Sequence, residues 1–511
     1  MHQLLARKSA DRLLAESEAG EGRLKRALGR WDLTALGIGA IIGAGIFATT
    51  GSAIAGEATR LGAGPAIVLS FLLTAVTCGL AALCYAEFAA MVPISGSAYT
   101  YAYASLGELV AWIIGWDLII EYAVGNIAVA ISWAGYFREL ISHFGLAIPA
   151  WLAIDYRTAF TAAKAVADGA TDPNTMYIAS AITGAPHVLG VPIVVNIPAV
   201  VIVGLITALL VYGIRESATS NSVMVLLKVG IILFFVAVGA FFVKPEHFTA
   251  YGGFAPNGFA GISTAAAIIF FSYIGFDAVS TAAEEAKDPK RDMPFGIIMS
   301  LVVCTVLFIL VAIVMTGMAP WRQLGTAEPM ITALQLTGGH PKLLSTARFI
   351  VSFGAVVAMT SVLLVVQLGQ PRIYFSMARD GLLPPWAARV HPRFRTPHIT
   401  TILTGVFVAV FAAFANIDEV VALTNIGTLF AFALVAGGVL VLHYKEPARQ
   451  RPFRTPWMPV TPVLAIGCCV YLMIQLPRLT WIRFFGWLAI GLVLYFAYGY
   501  WHSKLRSGAR G

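Results

Sequence analysis

Twelve apolar stretches, each near the length a helix needs to cross a bilayer, constrain this chain more than any other feature. They run over roughly 33–58, 65–92, 106–137, 196–214, 216–243, 260–286, 293–317, 344–370, 398–416, 419–443, 458–476 and 481–502. In hydrocarbon every backbone N–H and C=O must find a partner within the chain, so segments of this length and polarity are helices. With 59% hydrophobic and only 12% charged residues, little of the 511-residue chain is left over for a soluble domain. The expected class is an all-α polytopic membrane protein with 12 transmembrane helices.

A net charge of +8 raises nucleic acid as a partner only until the basic residues are located. Lys and Arg concentrate in the loops that share a side with the amino terminus, which puts both termini in the cytoplasm. The expected surroundings are lipid, with no nucleic acid. Residues 1–30 interleave Arg7, Lys8, Arg12, Arg23, Lys25, Arg26 and Arg30 with leucines, a composition suited to an amphipathic segment on a membrane surface. That stretch has no short apolar core of a cleaved signal peptide. Cys78, Cys84, Cys304, Cys468 and Cys469 all fall in apolar segments, so no disulfide framework follows. With no Asn-x-Ser/Thr sequon either, the expected location is a bacterial inner (plasma) membrane. The long outward loop over 138–195 is too polar to span again; its Pro, Gly and Asp content predicts short helices and turns.

The first apolar stretch carries Gly37, Gly39, Gly43 and Gly45 at mid-bilayer depth, where a helix is cheapest to break. Gly39 and Gly43 also form a G-x-x-x-G, so tight packing is the competing explanation. The sixth stretch repeats the feature as Phe270-Phe271-Ser272-Tyr273-Ile274-Gly275-Phe276-Asp277, with a carboxylate after the glycine. Interrupted spans at corresponding places in two halves point to a transporter site, because unwound backbone is tolerated only where it lines a cavity. N–H groups near Gly43, Ala44 and Gly45 would favour a carboxylate, and carbonyls near Ile41, Phe271 and Ile274 would accept from an ammonium. Such a break suits a zwitterion, with Phe271 as an apolar lid.

Lys228 lies about 18 Å and 22 Å from the two ends of the fifth stretch at 1.5 Å per residue, too far for its side chain to reach water. A charge held there costs about 2.5–3.5 kcal/mol on insertion scales, so Lys228 pairs, meets a cavity or gives up its proton. An amine that gains and loses a proton as a cavity opens to either side can couple proton movement to substrate movement, and a fixed ammonium there repels sodium. Its competing role is structural, bonded to carbonyls at a helix end. In the third stretch Asp117 and Glu121 stand one turn apart on one face; Glu121 meets either a substrate side chain or a neighbouring helix. Asp277 follows the break directly. Glu87, Glu284 and Glu285 lie near inner ends, where ion pairs and solvation compete.

These residues resemble the amino acid, polyamine and organocation (APC) transporters, in particular bacterial relatives of the cationic amino acid transporters (CAT). The resemblance rests on Gly37 to Phe47, Tyr85-Ala86-Glu87-Phe88, Pro93 to Tyr101, Trp116 to Tyr122, Tyr273 to Asp277 with Asp292-Met293-Pro294, Gln370-Pro371-Arg372, Ala378 to Pro384, and Asn425 to Leu429. It implies the LeuT/APC fold, a 5+5 inverted repeat with helices 1 and 6 broken mid-membrane and two helices appended. The corresponding organisation is a cytoplasmic segment over 1–30, a first repeat over 31–243, a second over 244–443, helices 11 and 12 over 444–502 and a tail over 503–511. It also implies alternating access around an amino acid held by positions matching Ile41, Gly43, Ala44, Gly45, Phe271 and Ile274, with the acid matching Asp277 beside the unwound stretch. A lysine matching Lys228 takes the place of a sodium site in sodium-coupled relatives, which implies proton symport. Met359 falls about where relatives approach the substrate side chain, and its thioether shortens the pocket. The expected substrates are thus neutral L-amino acids such as alanine; the alternative is arginine or lysine, with Glu121 receiving the cationic group.

A channel needs a continuous polar pore and gains nothing from two paired breaks. A membrane enzyme needs clustered catalytic groups, whereas His391 and His398 flank Arg393 and Arg395 in a basic loop and read as solvated. Neither an enzyme nor a cofactor or metal is expected, the proton serving as coupling ion. An exchanger or sensor of the same fold would recognise its ligand alike and stays open.

Overall fold

The computed structural model describes residues 7–8, 26–57, 60–93, 97–169, 173–213, 218–394 and 396–507. Most of the amphipathic segment expected over 1–30 lies outside the described residues, as do 94–96 of the Pro93–Tyr101 motif, the expected start of the fifth stretch at 216 and the end of the tail. The helices used below are α1 (Arg30–Ile41), α2 (Thr50–Ala55), α3 (Ile67–Met91), α4 (Ser97–Ser105), α5 (Glu108–Ser142), α6 (Tyr156–Ala167), α7 (Pro173–Gly184), α8 (Ile197–Tyr212) and α9 (Ala218–Ala240). They continue as α10 (Gly258–Ile269), α11 (Pro289–Met318), α12 (Pro329–Leu336), α13 (Pro341–Arg379), α14 (His398–Phe414), α15 (Ile417–Lys445), α16 (Val460–Ile474) and α17 (Arg478–Leu494).

Local sequence explains where these helices begin and end. Prolines at the first turn start α11 and α13, where a missing N–H costs nothing. Asn196 and Asn416 cap α8 and α15, accepting from Ala199 N at 3.2 Å and Asp418 N at 3.0 Å. Gly213 ends α8 in the left-handed conformation, φ +83°.

Among the described residues eight helices are long and apolar enough to cross a membrane, and α1 with the helix resuming at Gly45 makes a ninth as a pair bent by 41°. Three shorter apolar helices, α8, α14 and α16, occupy the places of the fourth, ninth and eleventh stretches. Large apolar side chains stand exposed along α8 (Val201, Leu205), α14 (Val406, Val410) and α17 (Ile482, Val493). Belts of that kind are stable against lipid and aggregate in water. The chain is a mostly helical, multi-pass membrane protein.

Helices from the two halves of the chain pack in a regular order. The second stretch (α3) lies along the seventh (α11), the third (α5) along the eighth (α13), and the fourth (α8) along the ninth (α14), while the first and sixth meet at their breaks. Helices α5 and α13 run past the apolar stretches they contain into polar residues, Arg138 and Glu139 in α5 and Arg372 and Arg379 in α13. Over 138–195 the chain forms α6, α7 and a hairpin pairing His187–Val188 with Val191–Pro192, packed on a small core that includes Ile154, Ala159 and Ala181.

Where residues 7–8 and 26–28 lie, polar contacts tie the helix ends together. Lys8 pairs with Asp380 at 3.2 Å, and Asp380 also accepts from the Tyr99 hydroxyl at 2.8 Å. Glu87 is buried against Arg451 at 3.1 Å and accepts from Thr455 N at 2.7 Å, so it is paired and not solvated. The Glu285 carbonyl accepts from Leu28 N at 3.0 Å.

Candidate functional site

The first span breaks where its glycines are densest. Helix α1 stops at Ile41, Ile42 turns extended (φ −75°, ψ 98°) while its N–H still reaches Ile38 O at 2.9 Å, and the chain resumes as a π-helical turn over Gly45–Thr49 before α2. The first N–H groups of a helix have no partner within it, so the start of the second half presents donors and a positive dipole end at this depth.

The sixth span breaks in the same manner. Helix α10 tightens into a 3-10 turn over Phe270–Tyr273, Ile274 is extended (ψ 132°), Gly275 has φ +126°, and a 3-10 segment continues over Asp277–Glu285. Only glycine adopts that φ without strain. Position 275 is also closed sterically: a Cβ there would lie 2.7 Å from the Ala40 carbonyl carbon and 3.0 Å from Ile41 N. At Gly45 a Cβ would collide with the Ser272 backbone. The two breaks are thus pressed together, backbone on backbone, at two points. The carbonyls just ahead of the second break find a partner in Asn425 of α15, whose Nδ2 donates to Ala267 O at 2.7 Å and Ile268 O at 3.0 Å.

Around this junction stand the ionisable groups. Lys228 of α9 is fully buried, and its Nζ donates to Gly39 O at 2.6 Å, in the last turn of α1. A cation at a helix C-terminal end is favourably placed, so this contact stabilises the broken α1 as well as the lysine. Asp277 is buried and accepts from Gly275 N at 3.2 Å, bridging the break it follows. Glu121 reaches in from α5, close enough to Asp277 and Asp117 for their charges to interact, and faces the Thr428 hydroxyl; its Oε2 is buried with no hydrogen-bond partner. Asp117 sits fully buried against Gly427 of α15, and neither of its oxygens is bonded.

The structure therefore gathers Ile41, Gly43, Ala44, Gly45, Phe271, Ile274 and Asp277 at one junction, with Glu121 and Lys228 approaching it from α5 and α9. All but the half-buried Ile274 are buried, and Gly275 at the second break is half-buried as well. Met359 is buried on α13, where its Sδ accepts from the Ser132 hydroxyl of α5 at 3.0 Å. One turn further along α13, Val362 is the residue that rests on the break, 3.0 Å from where a Gly43 Cβ would be. Sequence reading passed over Val362 and the Ser272 side chain. Helical spacing from Met359 would have pointed to the first; the second lay inside a motif already singled out.

The amino acid permease family model matches residues 28–494, which include both breaks. The chain belongs to the amino acid permease family. This permease is 43% identical to the methylthioribose transporter of Bacillus subtilis, over 99% of this chain and 100% of that one, and 45% identical to the branched-chain amino acid permease BcaP of the same organism, over 98% of each. A vacuolar cationic amino acid transporter 4 of Arabidopsis thaliana is 36% identical over 88% of the permease and 68% of its own length. The permease is accordingly a membrane transporter of the APC superfamily and not an enzyme. The named cargoes of these relatives differ, so kinship leaves open what the permease carries.

Proposed function

We propose that the permease imports neutral L-amino acids, from alanine to the branched-chain ones, by alternating access as a proton symporter. The observation that carries this reading is the paired break, with Gly275 against Ala40 and Gly45 against Ser272. It sets the start of one half-helix, with its backbone donors, beside the extended backbone of the other break in a buried place, which suits the two ends of a zwitterion. The packing of stretches one to four against six to nine supports a 5+5 inverted repeat of the LeuT/APC type, with twelve crossings including the three short helices and two appended at the end. Loop charge supports cytoplasmic termini in a plasma membrane.

Met359 and Val362 supply the apolar bulk that favours a short or branched side chain, and the similarity to a branched-chain permease agrees with it. Lys228, held on Gly39 O, is the coupling group in this reading: release of its proton frees the end of α1 to move, and no sodium is required. A second reading, uptake of arginine or lysine, draws on the unpartnered Glu121 Oε2 and on the cationic transporters among the relatives.

The test is uptake of labelled alanine and leucine into proteoliposomes under an inward proton gradient without sodium, with arginine and methylthioribose as competitors. Gradient-driven accumulation that Lys228→Ala abolishes while binding persists is the expected result. Uptake that ignores the gradient, or needs an amino acid inside, makes the permease a facilitator or exchanger. Competition by arginine that Glu121→Gln removes selects the second reading.

A further inference from the structure

Among the described residues, Ser272 brings to the contact between the two breaks a polar side-chain atom with nothing to bond. It is fully buried, and its Oγ has no hydrogen-bond partner, neither a carbonyl of its own helix nor a neighbour across the junction. Other buried hydroxyls find partners, as Thr49 does on Gly45 O at 2.7 Å and Ser300 on Ile297 O at 3.0 Å; Thr404, away from the breaks in α14, shares the lack of one. A hydroxyl stranded in a low-dielectric site costs free energy unless something else occupies it.

Its position says what that something is. The Oγ lies 2.8 Å from where a Gly45 Cβ would be, which leaves it within roughly 5 Å of the Gly45 amide, given standard bond lengths. Gly45 opens the π-helical turn after the first break, so its N–H belongs to the positive end of that half-helix. Two donors at this separation can share the oxygens of one carboxylate. A hydroxyl donates here without adding a positive charge.

We propose that the Ser272 hydroxyl is a substrate-binding donor that holds the α-carboxylate of the transported amino acid together with the main-chain N–H groups at Gly45. This rests on the amino acid reading above and adds to it a side chain that reads the carboxylate. It also makes the permease discriminate against analogues that lack the acid group, because those leave the hydroxyl unpaired.

The test uses purified full-length permease, binding labelled L-alanine at equilibrium and transporting it in proteoliposomes, with L-alaninamide as competitor. Hydrogen bonds to charged groups are the stronger class, so Ser272→Ala weakens L-alanine binding at least about ten-fold and raises the KM for uptake in step. The maximal rate stays within about two-fold, and competition by alaninamide is unchanged. Ser272→Cys, which keeps a weaker donor, falls between the two. Equal losses for alanine and alaninamide, or alanine binding by Ser272→Ala within two-fold of wild type, overturn the assignment while leaving the transport reading intact. A wild-type permease that binds no amino acid overturns both.

Discussion

Replacing Gly275 by alanine tests whether the contact between the breaks matters. Two costs add at that position. Its φ of +126° is one that an L-residue rarely adopts, worth about 1–3 kcal/mol of strain. The new methyl group would also meet the Ala40 carbonyl carbon at 2.7 Å and its oxygen at 2.9 Å, atoms of a helix end that cannot rotate away as a side chain would; overpacking of this kind costs about 1–3 kcal/mol. The sum, about 2–6 kcal/mol, disfavours this conformation by a factor of about 30 or more, at 1.4 kcal/mol per factor of ten. Uptake of alanine by Gly275→Ala, normalised to protein in the membrane, is therefore expected to fall at least thirty-fold. Gly437→Ala is the matched control: it also lies in a spanning helix, α15, but no atom stands within 4 Å of its Cβ position, so it transports normally and gains up to about 1 kcal/mol of helix propensity. If Gly275→Ala transports and melts like Gly437→Ala, the breaks do not need to touch and the site has been misplaced.

Other substitutions probe the groups around the junction. Lys228→Met keeps the length of the side chain but strips Gly39 O of its 2.6 Å donor; stability in detergent falls by about 1–3 kcal/mol, and proton-driven accumulation is lost while alanine binding remains, as thermal unfolding and equilibrium binding can check. Asn425→Ala leaves the carbonyls of Ala267 and Ile268 without their shared donor, and costs about 1–3 kcal/mol by the same assay with a reduced uptake rate. Asp155 caps α6 in the outer loop through Thr158 N at 2.9 Å, yet burial pushes its carboxyl above the usual range. A raised folded-state value means that the folded loop holds its proton more tightly than the unfolded one, so this contribution is present at low pH and fades as pH rises through the folded value. Amide exchange in α6 should therefore show protection falling over that rise, and Asp155→Asn, which keeps a capping group, should flatten the dependence.

The membrane class, the positions of the apolar helices and the two places where they break were readable from order along the chain. Each depends on local chemistry: a run of apolar residues long enough for hydrocarbon, or a glycine where a helix is cheapest to interrupt. Even the candidate list of Ile41, Gly43, Ala44, Gly45, Phe271, Ile274 and Asp277 comes from two short windows, because residues beside a break share its location whatever the rest of the chain does. What the windows could not supply is how one helix is turned against another. That Lys228 bonds to Gly39 O, that Met359 turns to Ser132 while Val362 rests on Gly43, and that Glu121 and Asp117 keep bare oxygens all depend on rotations of helices separated by scores of residues. A spanning helix that is apolar all round carries no stripe to fix its rotation. Close packing of backbones at Gly45 and Gly275 does so, and that packing exists only once the bundle is assembled.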